Sequence, residues 1–141
     1  AAANFALNRD RAPVRAAQHT VRVGDAFEEL QQLGAEGQRF DLVIVDPPSF
    51  AKSSAEVRGA LAVYARLTRL ALGVLSAGGV LVMSSCSSRV SPDAFFDAVL
   101  RAAADAGRPL RELRRTGHAL DHPIGFPEGE YLKCLFATAP R

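Results

Sequence analysis

Three short strings in this chain bring together residue types that could do chemistry. The first is Asp46-Pro47-Pro48-Ser49-Phe50-Ala51-Lys52. Its two prolines fix the backbone and remove two donors, so the Asp46 carboxylate and the neighbouring carbonyls point at one place. A carboxylate accepts from an exocyclic amino group, which suits the polar edge of a base. Phe50 is placed to stack on the face of that base. The plainer reading is a rigid turn ending a strand, with Phe50 in the core. The second string, Ser84-Ser85-Cys86-Ser87-Ser88-Arg89, sets a thiol in a polar loop near an arginine. That is the setting of a cysteine nucleophile, although cysteine also serves as a small buried hydrophobe. The third, Gly24-Asp25-Ala26-Phe27, offers an acid for a nucleotide amino group and an apolar neighbour for its ring. Asp25 reads equally well as a helix N-cap.

Other reactive residue types are less informative. Cys134 sits among Leu132, Leu135 and Phe136 and reads as core. His118 and His122 flank an irregular segment. Arg108, Arg111, Arg114 and Arg115 form a basic cluster interrupted by Glu112, which suits phosphates or a solvated strand face. No G-x-G occurs anywhere, so a glycine-rich pyrophosphate turn is absent, and the G-x-S-x-G of serine hydrolases is absent too. Neither cysteine has the close partner that a zinc site or a disulfide framework requires, and no metal is expected.

The elements that must position these strings alternate. Residues 1–11 read as the end of a helix and residues 20–23 as a short strand. Residues 26–33 read as a helix, with Phe27, Leu30 and Leu33 at helical spacing after Asp25. The apolar, β-branched run 40–45 stops at the prolines and reads as a strand covered on both faces. Residues 56–75 form a helix with Val57, Leu61, Tyr64, Leu67, Ala71 and Val74 on one side. Gly78-Gly79 leads into a buried strand, 80–83. Ser91 and Pro92 give an N-cap and first-turn proline for a helix that carries Phe95, Phe96, Val99, Leu100 and Ala103 and stops near Gly107. A strand over 110–115, an irregular stretch over 117–130 and a strand over 131–138 complete the chain. Strand–helix alternation predicts an α/β three-layer sandwich. Ligands in such sheets bind beyond the carboxyl ends of the strands, after Val23, Val45 and Met83.

The chain has 141 residues, 48% hydrophobic and 23% charged, which is the size of one domain over 1–141 with enough apolar surface for a core. A net charge of +2 permits a nucleic-acid partner without requiring one. No apolar run approaches a membrane span and no signal peptide is visible, so the expectation is a reduced, cytoplasmic protein that does not enter a membrane.

Together the strings resemble the catalytic domain of bacterial large-subunit (23S) ribosomal RNA 5-methylcytosine methyltransferases. That family carries a PUA domain ahead of a class I S-adenosylmethionine (SAM) fold. The residues that carry the resemblance are Asn4-Phe5-Ala6-Leu7-Asn8, Gly24-Asp25-Ala26-Phe27, the stretch 40–53, Gly78-Gly79-Val80-Leu81-Val82, Ser85-Cys86-Ser87, Asp121-His122-Pro123 and Pro127-Glu128-Gly129-Glu130-Tyr131-Leu132-Lys133-Cys134. The resemblance implies a Rossmann-like sheet of strand order 3-2-1-4-5-7-6, SAM as methyl donor and ribosomal RNA as partner. It implies that Cys86 adds to cytosine C6 while Asp46 holds the N3/N4 edge and borders the cofactor. Asp25 would bond the adenine amino group, with Ala26 and Phe27 beside the ring. Pro47, Pro48, Phe50, Lys52 and His122 would meet the substrate.

The chain also departs from the family's pattern. Val63-Tyr64-Ala65-Arg66-Leu67-Thr68 stands where a Gly-Tyr-Lys-x-(Ile/Leu)-Asn string is usual, and Ser49 stands where many cytosine-5 RNA methyltransferases keep a second cysteine. The first two strands of the class I sheet, its glycine-rich loop and the PUA domain have no counterpart within residues 1–141. The expectation is therefore a truncated sheet, inactive alone, whose strand 40–45 is an open edge available to a second copy of the chain. Two alternatives stand beside it: a non-catalytic methyltransferase-like module, and methylation of an exocyclic adenine amino group. The second needs no cysteine and usually places its aromatic directly after the prolines.

Overall fold

A computed structural model of the chain describes residues 2–126 and 129–140. Ala1, and Pro127 and Glu128 of the C-terminal string, lie outside the described residues. The elements run α1 (Ala2–Leu7), α2 (Ala12–Ala16), α3 (Ala26–Ala35), β1 (Phe40–Val45), α4 (Val57–Val74), β2 (Leu75–Ser85), α5 (Pro92–Asp105), β3 (Arg111–Thr116) and β4 (Lys133–Thr138), with a 3-10 turn, Ser54–Glu56, before α4.

Local chemistry sets the helix ends. Asp25 accepts from the backbone N–H groups of Phe27 (2.8 Å) and Glu28 (3.3 Å), capping α3. Ser53 and Glu56 form a reciprocal capping box ahead of α4. Ser91 accepts from the N–H of Ala94 at 3.3 Å, and Pro92 follows in the first turn of α5. Gly107, at φ 70°, takes the left-handed conformation that ends α5.

The four strands form one sheet in the order β1-β2-β4-β3. β1 pairs parallel with β2, while β4 runs antiparallel to both β2 and β3. Val43, Leu81, Met83, Leu135 and Ala137 lie on one face of the sheet and are buried with Tyr64, Leu67 and Ala71 of α4 and Phe95 and Val99 of α5. Each fully buried Val, Leu, Met or Phe side chain stabilises the fold by about 1.5–3 kcal/mol relative to exposure. α3 packs beside α4 through Phe27, Leu30 and Leu33.

Several expectations need correction. Residues 20–23 are not a strand; Val21 and Val23 are exposed, and no described strand lies beside them to complete a ladder. β1 is covered on one face only: Val43 is buried, whereas Leu42 and Ile44 are 54% and 64% exposed. Helices α3, α4 and α5 lie on the Val43 side, and a second helical layer on the Leu42 side is not among the described elements. The open edge at β1 is as expected. β2 starts at Leu75, not at residue 80. Its pairing jumps from Phe40↔Leu75 to Leu42↔Val80, so residues 76–79 bulge opposite Asp41. A Cβ on Gly79 would meet the carbonyl oxygens of Ser76 at 3.0 Å and Asp41 at 3.1 Å, which explains the glycine. The last strand starts at Lys133, not at residue 131. Cys134 is half-buried and points away from the helix-covered core, taking a hydrogen bond from Ser84 Oγ at 3.3 Å.

Candidate active site

Val45 pairs with Met83 across the parallel strands, so the loops that follow β1 and β2 leave the sheet side by side. Neighbouring strands are about 4.8 Å apart, which brings the two loops within reach of one small ring. The half-buried Cys86 thiol lies 3.9 Å from the carbonyl oxygen of Pro47, the residue after the exposed Asp46. Ser87 Oγ donates to the carbonyl of Ala51 at 3.4 Å, a second tie between the loops. The Asp46 loop is held at its far end by Glu56, which accepts from the N–H groups of Lys52 (2.6 Å) and Ser53 (3.3 Å).

Beneath the thiol lies a buried polar chain. The Tyr64 hydroxyl shares a 2.8 Å hydrogen bond with Ser85 Oγ, which also accepts from the N–H of Ser87 at 3.3 Å. Burial raises the Tyr64 pKa above its ordinary value; the Ser85 bond opposes this and negative charge on Cys86 adds to it. Lys133 is buried as well and donates to loop carbonyls on the other side of Cys86. Tyr64 was legible only as a core aromatic and Ser85 only as a neighbour of Cys86. Strand alternation through the apolar Leu135 and Ala137 was the signal that would have turned Lys133 inward.

A cleft of about 650 Å³ runs from the Asp46 loop to the start of α3, lined by Asp25, Ala26, Phe27, Leu30, Val45, Asp46, Pro47, Pro48 and Phe50 among others. Both capping bonds to Asp25 fall on Oδ1, so Oδ2 keeps its lone pairs. The Arg66 guanidinium sits 4.4 Å from the centre of the Phe27 ring and covers one face of it. Phe50 belongs to both readings of it: half-buried, it meets the Tyr64 ring edge-on at 5.2 Å and also lines the cleft. Lys52 is exposed and does not line the cleft. His122 does not line it either; it stacks on His118 at 5.0 Å, whose Nε2 accepts from the N–H groups of Tyr131 and Leu132.

The basic cluster does not act as one patch. Arg108 turns inward and caps α4 and the start of β2, donating to the carbonyls of Leu72, of Leu75 (2.9 Å) and of Ser76 (3.3 Å). Arg115 is paired with Glu112 at 2.8 Å and lies over the Phe96 ring. Arg111 and Arg114 remain on the exposed strand face. Among the described residues no group of acids, histidines and cysteines has the arrangement of a metal site, and no helix is long and apolar enough to cross a membrane.

No family model matches the chain. It is 44% identical over 133 residues to a ribosomal RNA large subunit methyltransferase of Deinococcus radiodurans, covering 94% of this chain and 32% of that protein. It is 42% identical over 120 residues to ribosomal RNA large subunit methyltransferase I of Shewanella amazonensis, covering 84% of this chain and 30% of that protein. The chain thus spans about a third of the length of these curated relatives. A structure from Streptococcus mutans, described as a SAM-dependent methyltransferase, superposes with a TM-score of 0.72 at 22% identity, over 86% of this chain and 31% of that one. The fold is that of a methyltransferase. The observed order β1-β2-β4-β3 corresponds to strands 4-5-7-6 of the class I sheet, and the cleft lies at the carboxyl end of its parallel pair.

Proposed function

We propose that residues 1–141 form the substrate-facing part of an enzyme that methylates C5 of a cytosine in large-subunit ribosomal RNA. The observation that carries this reading is the convergence of Cys86 and the Asp46-Pro47-Pro48 loop at the ends of two adjacent parallel strands. A cytosine carbon is too poor a nucleophile to take a methyl group unaided. Addition of the Cys86 thiolate forms an S–C6 bond and displaces the C5=C6 electron pair toward C5. The Asp46 carboxylate accepts from the N4 amino group, and the proton that the Cys86 thiol gives up as it adds is taken up at N3, which offsets the charge the ring acquires. SAM, when bound, supplies the electrophilic methyl that C5 accepts. A base, unassigned among the described residues, removes the C5 proton, and the returning electron pair expels Cys86. Pro47 and Pro48 keep the loop from yielding, and Phe50 faces the base.

The residues present fit the adenine end of SAM. The cleft is apolar along Phe27 and Leu30, and Asp25 Oδ2 is open to an amino group at its rim. The ribose and methionine ends have no glycine-rich turn within residues 1–141 to receive them. The similarity to whole ribosomal RNA methyltransferases supports RNA as partner, with the PUA domain of that family as the proposed source of RNA affinity. Methylation of an exocyclic amino group is the weaker reading, because it leaves Cys86 without a role.

The test is bisulfite mapping of large-subunit ribosomal RNA treated with the full-length gene product, wild type and Cys86→Ala. The wild type should create a bisulfite-resistant cytosine and Cys86→Ala none. Undiminished methylation by Cys86→Ala, or methyl on an adenine amino group, would overturn the proposal.

A further inference from the structure

Lys133 opens β4, and alternation along the strand turns it inward beside Leu135 and Ala137. It is 2% exposed. Lysine is almost never buried so deeply without partners. Its partners here are neutral: Nζ donates to the carbonyl oxygens of Ser87 at 2.5 Å and Val90 at 2.6 Å. Among the described residues no carboxylate pairs with it. Ser87 and Val90 bracket the turn that carries the chain away from Cys86 toward α5. Opposite, Ser85 Oγ and the Ala51 carbonyl hold Ser87. Burying an ammonium against neutral oxygens costs free energy that an apolar side chain of similar volume would avoid. Packing alone therefore does not explain a lysine here. Burial pushes the Lys133 pKa down, and the residue pairs with Ser85 across the β2–β4 ladder while its Nζ reaches the Ser87 carbonyl, so its contacts bracket Cys86 in the chain.

We propose that Lys133 is a positioning residue for Cys86: by tying the Ser87 and Val90 carbonyls to β4, it fixes the turn that presents the thiol to the substrate. The inference rests on Cys86 being the nucleophile. Lys133 touches no substrate in this account and acts only through the loop. A displacement of about 1 Å at a reacting atom is worth as much as ~100-fold in rate, so the clamp should be visible in turnover.

The experiment compares Lys133→Met, Lys133→Arg and Val99→Ala in the full-length gene product. Val99 is a fully buried core residue of α5 and makes none of the hydrogen bonds that hold Cys86 or Lys133, so its truncation serves as a control for destabilisation. Lys133→Met should lower kcat on the order of 10- to 100-fold, with KM for RNA and for SAM within twofold of wild type. Lys133→Arg, which keeps charge and donors, should recover part of the loss. Val99→Ala, assayed below its own melting temperature, should keep near-normal kcat. Equal losses in Lys133→Met and Val99→Ala, or unchanged kcat in Lys133→Met, would overturn the proposal.

A second measurement needs no substitution. In wild-type chain at low temperature, the Lys133 ammonium should give a slowly exchanging ¹⁵N resonance coupled across hydrogen bonds to the Ser87 and Val90 carbonyl carbons. That resonance should shift when Cys86 is carbamidomethylated. An ammonium in fast exchange, or one indifferent to Cys86 modification, would overturn the clamp even where Lys133→Met does not fold. Failure of the nucleophile reading would look different: Cys86→Ala would still methylate, while the Lys133 resonance and its couplings stayed in place.

Discussion

The Cys86 thiol and the Pro47 carbonyl oxygen lie 3.9 Å apart although 39 positions separate them in the chain. Two parallel strands in register produce that meeting, Val45 beside Met83. Cys86 is therefore placed against the Asp46 loop by the sheet itself, while Cys134 faces Ser84 on the opposite side. The two cysteines should accordingly differ in function. Cys86→Ala is expected to abolish methylation by the full-length gene product with little loss of RNA affinity. Cys134→Ala should leave most of the rate. Equal losses from both, in a filter-binding and methyl-transfer assay, would point to packing.

The chain 1–141 alone should bind SAM weakly. Only the adenine end of the cleft is built, and losing about three polar contacts at ~1–1.5 kcal/mol each weakens affinity by ~10²–10³-fold. Isothermal titration should show no saturation in the micromolar range. One-site micromolar binding would mean that residues 1–141 hold the ribose and methionine ends without a glycine-rich turn.

Asp25 carries stability as well as a lone pair for a ligand. Asp25→Ala removes the cap of α3 and should cost about 1 kcal/mol, a drop of roughly 3–4 °C in melting temperature. Asp25→Asn, which still accepts at an N-cap, should melt near wild type. Calorimetry separates the two, and an equal loss in both would tie the effect to charge and not to capping.

Alkaline stability should show two opposed slopes. Lys133 has a lowered pKa in the folded state, so the unfolded chain binds more protons between that value and the ordinary 10.5. Its contribution therefore rises with pH through that window. Tyr64 has a raised pKa, so the folded chain holds its proton longer, and stability falls as pH climbs above the ordinary 10.0. Each proton contributes a slope of up to about 1.4 kcal/mol per pH unit. In urea titrations across pH 8–11.5, Lys133→Met should lose the rise and Tyr64→Phe should lose the fall. Parallel curves for all three proteins would contradict the burial of these groups.

The exposed edge of β1, with Leu42 and Ile44 on its open face, should drive self-association of the isolated chain. Sedimentation should show concentration-dependent dimers or larger species, reduced in the double variant Leu42→Lys, Ile44→Lys. A concentration-independent monomer would argue against strand pairing at this edge.

Much of this was legible from local chemistry. Asp25, Ser91 and Pro92 announce helix starts, Gly107 a helix end, and Asp46-Pro47-Pro48 the end of a strand. Each acts on its immediate neighbours, so sequence suffices. Tertiary partners were not legible. Residues 20–23 have strand composition, but no described strand offers them a ladder. Leu42 and Ile44 look like core, yet no described element covers them. Arg108 looked like part of a surface cluster, and only the end of α4 shows that its donors are taken by three carbonyls. The Asp46 and Cys86 strings were visible singly; their adjacency depended on the parallel register. Lys133 was hidden because a charged residue is read as exposed until its strand is phased.

Methylation by this route passes through a covalent bond between Cys86 and cytosine C6. Ribosomal RNA containing 5-fluorocytosine tests it directly, because fluorine at C5 cannot leave as a proton does and the adduct is stranded after methyl transfer. The full-length gene product, incubated with SAM and this RNA, digested and mapped by mass spectrometry, should yield a pyrimidine nucleotide on the peptide containing Cys86. An adduct on Cys134, or no adduct from a preparation that methylates unmodified RNA normally, would contradict the account.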